Sequence, residues 1–214
     1  MSLFSDSALR NNPVWAQLLG LCPLLAVSNN VVNALGLALA STLVLIGANG
    51  TIALIRRQIP GFARRPCFVL VIATFTTIAV LLMQAFAFEA YLKIALFVQI
   101  IVTNCMILGR VEAFASRQSV GRALADAAGT AAGFALALIT LGTARELIAT
   151  GGLFANMQTL FGPGAERWQV SLADGGLMIA AMPPGAFIIA GLLIAAGQAT
   201  IRAKVNRDEQ RQTN

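Results

Sequence analysis

The chain has 214 residues, of which 57% are hydrophobic and 11% charged, and its mean hydropathy is +0.77. A water-soluble domain carries about 25% charged residues, so this composition excludes that class and predicts a protein that lies in a bilayer. The formal net charge of +6 does not indicate nucleic-acid binding, because the basic residues fall in short stretches between apolar segments.

The N-terminal quarter of the chain predicts two membrane segments. Residues 1–12 show no cleavage pattern behind a short apolar core, so we expect no cleaved signal peptide. Residues 11–55 contain no charged residue, and this run is too long for one spanning helix of about 20 residues. The asparagines Asn29, Asn30 and Asn33 mark a break and are expected to satisfy backbone groups freed there. The predicted segments are 13–27, which is short for a span, and 31–55.

Four more apolar segments follow, each bounded by charged or Gly-rich stretches. Their predicted boundaries are 67–88, 94–109, 123–144 and 175–201. The fourth segment of the chain, like the first, is short for a span, because Arg110 follows it directly. Trp168 is expected to anchor an interfacial turn, and Pro183 and Pro184 are expected to break the sixth segment.

The basic residues predict the orientation of the chain. With six spans, twelve of the fifteen face one side of the membrane, and the positive-inside rule makes that side the cytoplasm. The other side receives Lys93, Arg145 and Arg167. We therefore predict a single-domain, all-α integral protein of the bacterial inner membrane, with both termini in the cytoplasm and residues 202–214 as a tail.

The two short segments indicate an internal repeat. They begin two three-helix halves, about 13–89 and 94–201, and each carries a cysteine, Cys22 or Cys105. Because three spans separate the halves, they have opposite topologies, and such inverted repeats place functional groups near the bilayer midplane. A lone membrane cysteine is usually a packing residue, and Cys67 keeps that interpretation. For Cys22 and Cys105, which occupy equivalent places in the two halves, packing and ligand binding stay open as alternatives.

Two thiols without any imidazole restrict what this pair can bind. The chain contains no histidine, so soft thiolate chemistry remains, which suits iron-sulfur clusters, zinc or Cu(I). A cluster normally takes four thiolates, so the chain would supply half a site and a partner the other half. The positive ends of the half-helices and Arg110 would offset the charge of a buried anionic centre.

Several stretches resemble the Rnf/Nqr family of membrane subunits over nearly the whole chain. Within that family the resemblance is to the branch that holds the E-type member of the Rnf electron-transport complex and the D-type member of the sodium-pumping NADH:quinone reductase. The matching stretches are residues 18–27, 33–37, 101–105, 109–115 and 145–148, and residues 182–187 are similar to the Rnf version.

The resemblance implies a specific cofactor and specific partners. A homologous A subunit of opposite orientation would share one [2Fe-2S] cluster with this chain, and the ligands carried onto this sequence are Cys22 and Cys105. Flavins and further iron-sulfur clusters would belong to the other subunits, B, C, D and G among them. The complex would couple NADH and ferredoxin or flavodoxin oxidoreduction to Na+ or H+ movement, with this chain as an electron conduit rather than the site of hydride chemistry.

Three other interpretations stay open at this point. The chain can also be interpreted as a D-type component of the quinone reductase, as a structural scaffold, or as an inverted-repeat ion carrier without a redox centre. A carrier path would use Glu112, Asp126, Arg145 and Glu146. Since all four lie near predicted segment ends, interfacial salt bridges are the alternative expectation for them.

Overall fold

The computed structural model describes residues 12–15, 17–86, 88–150, 152–153, 170–171 and 182–212. The residues before Asn12, the interfacial Trp168 and the first part of the expected sixth segment lie outside these ranges. The described helices are α1 (Leu21–Val27), α2 (Val31–Ile55), α3 (Arg64–Phe86), α4 (Phe88–Gln99), α5 (Cys105–Arg110), α6 (Val120–Thr150) and α7 (Pro183–Gln212).

Short irregular pieces complete the described part of the chain. Two 3₁₀ turns cover Gly61–Ala63 and Ile100–Thr103, and a π-helical turn, Val111–Ala115, continues α5. Two-residue strands β1 (Gly152–Leu153) and β2 (Val170–Ser171) pair antiparallel. Apart from this pair and the turns, the described residues are helical, which confirms the predicted helical class.

Helices α2 and α6 form the centre of the molecule and pack antiparallel. A β-carbon added at Gly142 would lie 3.3 Å from Ala34 Cβ, and one added at Gly50 would lie 3.3 Å from Leu124 Cδ2, at the other end of the pair. Small residues allow this close approach, as in other helix pairs within lipid. The largest apolar side chains buried between and around these helices are Leu37, Leu45, Ile52, Phe134 and Leu138.

Four described segments are long and apolar enough to cross a membrane, namely Val31–Ile55, Gly61–Phe86, Phe97–Ala115 and Val120–Ala149. The apolar part of α7, Pro183–Gly197, is shorter, and α1 has seven residues. These lengths support a multi-pass membrane protein. Six spans in two inverted repeats stay a prediction.

Two helices reach further than the sequence predicts. Helix α6 ends at Thr150 rather than 144, and α7 runs to Gln212 through the expected tail. Helix α7 begins with Pro183 and Pro184, at positions where the missing N–H and the fixed φ of proline suit a helix start.

The outer face of α3 exposes a row of large apolar side chains. Leu70, Leu81 and Phe86 are 68%, 59% and 86% exposed. Such a surface suits lipid or another membrane protein rather than water.

Candidate functional site

The site begins with two short helices, α1 and α5, and each of these half-helices starts within two residues of a cysteine. Cys22 is the second residue of α1, whose N-cap Gly20 has the left-handed φ of +78°. Cys105 is the first residue of α5. Its N-cap Asn104 accepts a hydrogen bond from the Met106 N–H at 3.0 Å through Oδ1. Both breaks therefore fall within two residues of a predicted site cysteine.

A direct contact joins the starts of these two half-helices. The Gly20 N–H donates to Cys105 Sγ at 3.1 Å, which brings the beginning of α1 against the thiol of α5. Both Cys22 and Cys105 are exposed free thiols. Cys67 lies half-buried in the first turn of α3. The sequence predicts the two cysteines as site residues but not the Gly20 N–H donor, because Gly20 and Cys105 are 85 positions apart and meet only in the folded chain.

The site lies near the middle of α6. A β-carbon added at Gly20 would lie 3.1 Å from Phe134 Cε2, and the Asn12 side-chain amide donates to the Gly133 carbonyl at 3.1 Å. Phe134 and Gly133 stand close to the midpoint of a helix of 31 residues, which is about 46 Å long. The start of α1 is therefore about equally far from both ends of a membrane-spanning helix.

A cavity of about 640 Å³ opens beside Cys22. Its lining residues come from α1, the turn after α1, α4, α6 and α7, and they are mostly apolar. They are Leu21, Cys22, Leu25, Ala26, Asn29, Phe97, Arg145, Pro183 and Phe187. The Cys22 side chain therefore borders this apolar cavity and is exposed. A cysteine with only a packing role would usually be buried in the core.

The charged residues named by the sequence occupy different environments. Arg145, Glu146 and Asp126 are at most 1% exposed, so they are buried within the protein, and their position relative to the membrane interface stays a prediction. Asp126 Oδ1 lies 3.5 Å from Arg110 Nη2. Arg110, which the sequence suggested as a positive charge near a cysteine-bound centre, therefore pairs with a carboxylate. Glu112 lies at the surface as expected, where it pairs with Arg65 at 3.2 Å.

The prediction that asparagine side chains satisfy the freed backbone groups at the first break is wrong for Asn30. Asn30 is the N-cap of α2 but makes no side-chain cap hydrogen bond. The Val31 N–H donates instead to Glu146 Oε2 at 2.9 Å. The two residues are 115 positions apart in the chain, so local sequence patterns do not predict this contact.

The donor set fits half of an iron-sulfur site. Among the described residues, no three His, Cys, Asp or Glu side chains gather into a group that would hold a metal ion. Two exposed thiols and an N–H directed at one sulfur match the thiolate ligation and N–H···S hydrogen bonding of such clusters. Completion of the site would require ligands from outside the described residues.

These features define a multi-pass helical membrane protein with one thiol on each of two interrupted segments. The family described as Rnf-Nqr subunit, membrane protein, matches residues 1–194, so the chain belongs to the Rnf-Nqr family of membrane subunits. It is 51% identical over 192 residues to a Pseudomonas paraeruginosa protein whose name makes it the E component of an ion-translocating oxidoreductase complex, covering 89% of this chain and 80% of that protein.

Other relatives carry the same name. A Cellvibrio japonicus protein is 49% identical over 189 residues, which is 87% of this chain and 79% of the relative. A Haemophilus ducreyi protein is 48% identical over 196 residues, which is 91% of this chain and 86% of the relative. The likeness therefore extends over most of the length of both partners in each comparison.

Proposed function

We propose that the chain is the E-type component of an ion-translocating oxidoreductase complex and that Cys22 and Cys105 donate two ligands to a [2Fe-2S] cluster. The homologous A subunit would supply the other two. The observation that carries this proposal is the Gly20 N–H···Sγ Cys105 contact, because it joins the two thiol-bearing half-helices beside the midpoint of α6.

The residues of this chain would hold and tune such a centre. Cys22 and Cys105 would bind iron. The Gly20 N–H donates to Cys105 Sγ, and hydrogen bonds to sulfur are among the factors that set the reduction potential of a cluster. When bound, a [2Fe-2S] cluster accepts and releases single electrons.

The depth of the site explains why an electron conduit would use it. The hydrocarbon core is about 30 Å thick, which is too far for one efficient electron-transfer step. A centre near mid-depth divides that distance into two shorter ones. Hydride chemistry and flavins would then lie in partner subunits, among them B, C, D and G, and the whole complex would couple NADH and ferredoxin or flavodoxin oxidoreduction to movement of Na+ or H+.

The relatives favour this assignment over the D-type component of the quinone reductase, because the similar proteins described above are all named as the E component of an ion-translocating oxidoreductase complex. We also propose that the chain lies in the bacterial inner membrane with both termini in the cytoplasm, which the distribution of its basic residues supports. An ion carrier without a redox centre would need neither exposed thiol.

The test is to purify the chain together with its partner subunits and to measure iron, acid-labile sulfide and the electron paramagnetic resonance spectrum after reduction. We expect two irons per complex attributable to this centre, retained in Cys67→Ala and lost in Cys22→Ala and in Cys105→Ala. Cys67→Ala is the matched control, since it removes a thiol from the same chain. Full iron retention in the Cys22 and Cys105 variants would contradict the ligand assignment.

A further inference from the structure

Arg145 and Glu146 are consecutive buried residues near the carboxyl end of α6, and the proposed electron path does not use them. Their exposures are 1% and 0%. Ionised side chains are rare inside membrane-spanning segments and persist there when they have specific partners. Their hydrogen bonds lead away from α6 to the break between α1 and α2.

Arg145 binds the carboxyl end of α1. Its Nη1 donates to the Leu25 carbonyl oxygen and to Ser28 Oγ, both at 3.0 Å. The last carbonyls of a helix lack intrahelical donors, and a cation is favoured at that end of the helix dipole. Nη2 also donates to the Met182 carbonyl at 3.4 Å, directly before α7.

Glu146 binds the other side of the same break. Its Oε2 accepts from the N–H of Val31, the first residue of α2, where an anion is favoured for the same electrostatic reason. Two adjacent side chains of α6 therefore hold both ends of the α1–α2 turn. Each carries the sign of charge that its helix end prefers.

Helix α1 depends on contacts of this kind for its position. With seven residues it is far below the roughly 12 residues at which an isolated helix becomes even marginally stable. Its amino end is fixed through the Gly20 N–H on Cys105 Sγ, and its carboxyl end through Arg145. Cys22 lies between these two attachments, one helical turn before Leu25.

We infer that Arg145 and Glu146 are positioning residues for Cys22, which hold α1 by its carboxyl end and thereby set where the Cys22 thiol lies. The inference deepens the proposed function and rests on it for the ligand role of Cys22. The attachment of α1 itself can be tested without any cluster. A merely structural role would lower the amount of folded complex without selectively changing Cys22.

The experiment compares purified complexes carrying wild-type chain, Arg145→Gln or Glu146→Gln. The probe is N-ethylmaleimide, and the readout is the alkylation rate of Cys22 divided by that of Cys67, obtained by peptide mass spectrometry. Loss of the hydrogen bonds of the guanidinium should raise this ratio by at least about tenfold in Arg145→Gln. Glu146→Gln keeps an oxygen that can accept from Val31 and loses only the negative charge, so its ratio should rise by about threefold. The reduced cluster should also show shifted g-values.

Two further variants calibrate the result. Arg145→Lys keeps the charge but not the planar fork of donors, so its alkylation ratio should fall between wild type and Arg145→Gln. Arg122→Gln removes an exposed arginine in the first turn of α6, distant in sequence from Cys22 and Cys67, and should leave the ratio unchanged. If Arg145→Gln does not assemble, Ser28→Ala removes one acceptor of the same guanidinium and should raise the ratio about fivefold.

The outcomes separate the two proposals. An alkylation ratio and g-values equal to wild type in Glu146→Gln and in Arg145→Gln, or in Ser28→Ala in its place, would overturn the positioning role. Absence from the wild-type complex of the two irons attributable to this centre, or full iron retention in Cys22→Ala, would instead overturn the ligand assignment. The alkylation ratio remains readable in that case, because it requires no cluster.

Discussion

Gly20 has a backbone conformation and surroundings that a side chain would disturb. Its φ is +78°, and an added β-carbon would lie 3.1 Å from Phe134 Cε2 and 3.3 Å from Met106 Cβ. We expect Gly20→Ala to destabilise the chain by about 1–2 kcal/mol through left-handed strain alone, with crowding adding to this cost. The measurement is the midpoint of SDS-induced unfolding in mixed micelles.

Gly121→Ala is the matched control for Gly20→Ala. A β-carbon at Gly121 would meet nothing within 4 Å, and this residue lies in the exposed first turn of α6. Alanine is the better helix former by up to about 1 kcal/mol, so this variant should not lose stability. Equal midpoints for the two variants would mean that the Gly20 backbone is not constrained as described.

Asn104 starts the second half-helix, and its removal should loosen the turn that carries Cys105. Its Oδ1 accepts the Met106 N–H at 3.0 Å, and the residue is 3% exposed. Loss of such a cap costs about 1 kcal/mol, which we expect for Asn104→Ala in the same unfolding assay. Asn104→Ser can cap the helix and should recover most of the loss, and no recovery would point to a role other than capping.

At the scale of elements, the sequence predicts the helices well where charge marks a true exit from the membrane. The boundary predicted for α2 agrees with the structure, since Arg56 and Arg57 follow this helix directly. The boundary predicted for α3 agrees to within three residues, since the exposed Arg64 and Arg65 form its first turn. Helix α6 is longer than predicted because Arg145 and Glu146 are buried by partners from α1 and α2. A charge bound inside the protein cannot be distinguished from a solvated one by its position in the sequence.

The same reasoning explains which parts of the site could be predicted. Cys22 and Cys105 are found because each stands on a short segment, and segment length is a local property of the sequence. The Gly20 N–H donor to Cys105 spans 85 positions, and the Glu146 acceptor for Val31 spans 115. Contacts of this range depend on how the helices pack, which local patterns in the sequence do not reveal.

The buried pair Arg110–Asp126 joins the half-helix α5 to α6 and should contribute strongly to the stability of that junction. The two side chains are 14% and 2% exposed, and Arg110 Nη2 lies 3.5 Å from Asp126 Oδ1. Arg110→Met removes the guanidinium from a buried carboxylate, which costs about 3–5 kcal/mol. The double variant with Asp126→Asn should recover much of this, so the cycle measured by SDS-induced unfolding should be non-additive.

Arg65→Met provides the comparison for the Arg110–Asp126 cycle. The Arg65–Glu112 pair is shorter, at 3.2 Å, but its side chains are 82% and 46% exposed. Exposed pairs contribute about 0–1 kcal/mol, so this variant should unfold close to wild type. A larger loss for Arg65→Met than for Arg110→Met would show that burial does not determine the strength of these pairs.

For the molecule as a whole, two arginine-rich stretches, residues 56–65 and 110–122, lie at the same end of the structure, and we call them the basic loops. Arg56, directly after α2, donates to the Gln118 carbonyl, and Arg65 pairs with Glu112. The turn at Asn29 lies at the other end of α2, a helix of 25 residues and about 37 Å in length. That length exceeds the hydrocarbon core, so the loops and the turn should face opposite sides of the membrane.

This arrangement predicts a labelling pattern in intact cells. On a Cys67→Ala background, Arg57→Cys and Arg117→Cys should resist a membrane-impermeant maleimide added outside if the basic loops face the cytoplasm, as the positive-inside rule predicts. Asn29→Cys should react, since Asn29 is exposed at the opposite end of α2. Inside-out vesicles should reverse the pattern, which controls for thiols that are merely unreactive. Labelling of Arg57→Cys and Asn29→Cys from the same side would contradict the span of α2 and, with it, the depth assigned to Cys22 and Cys105.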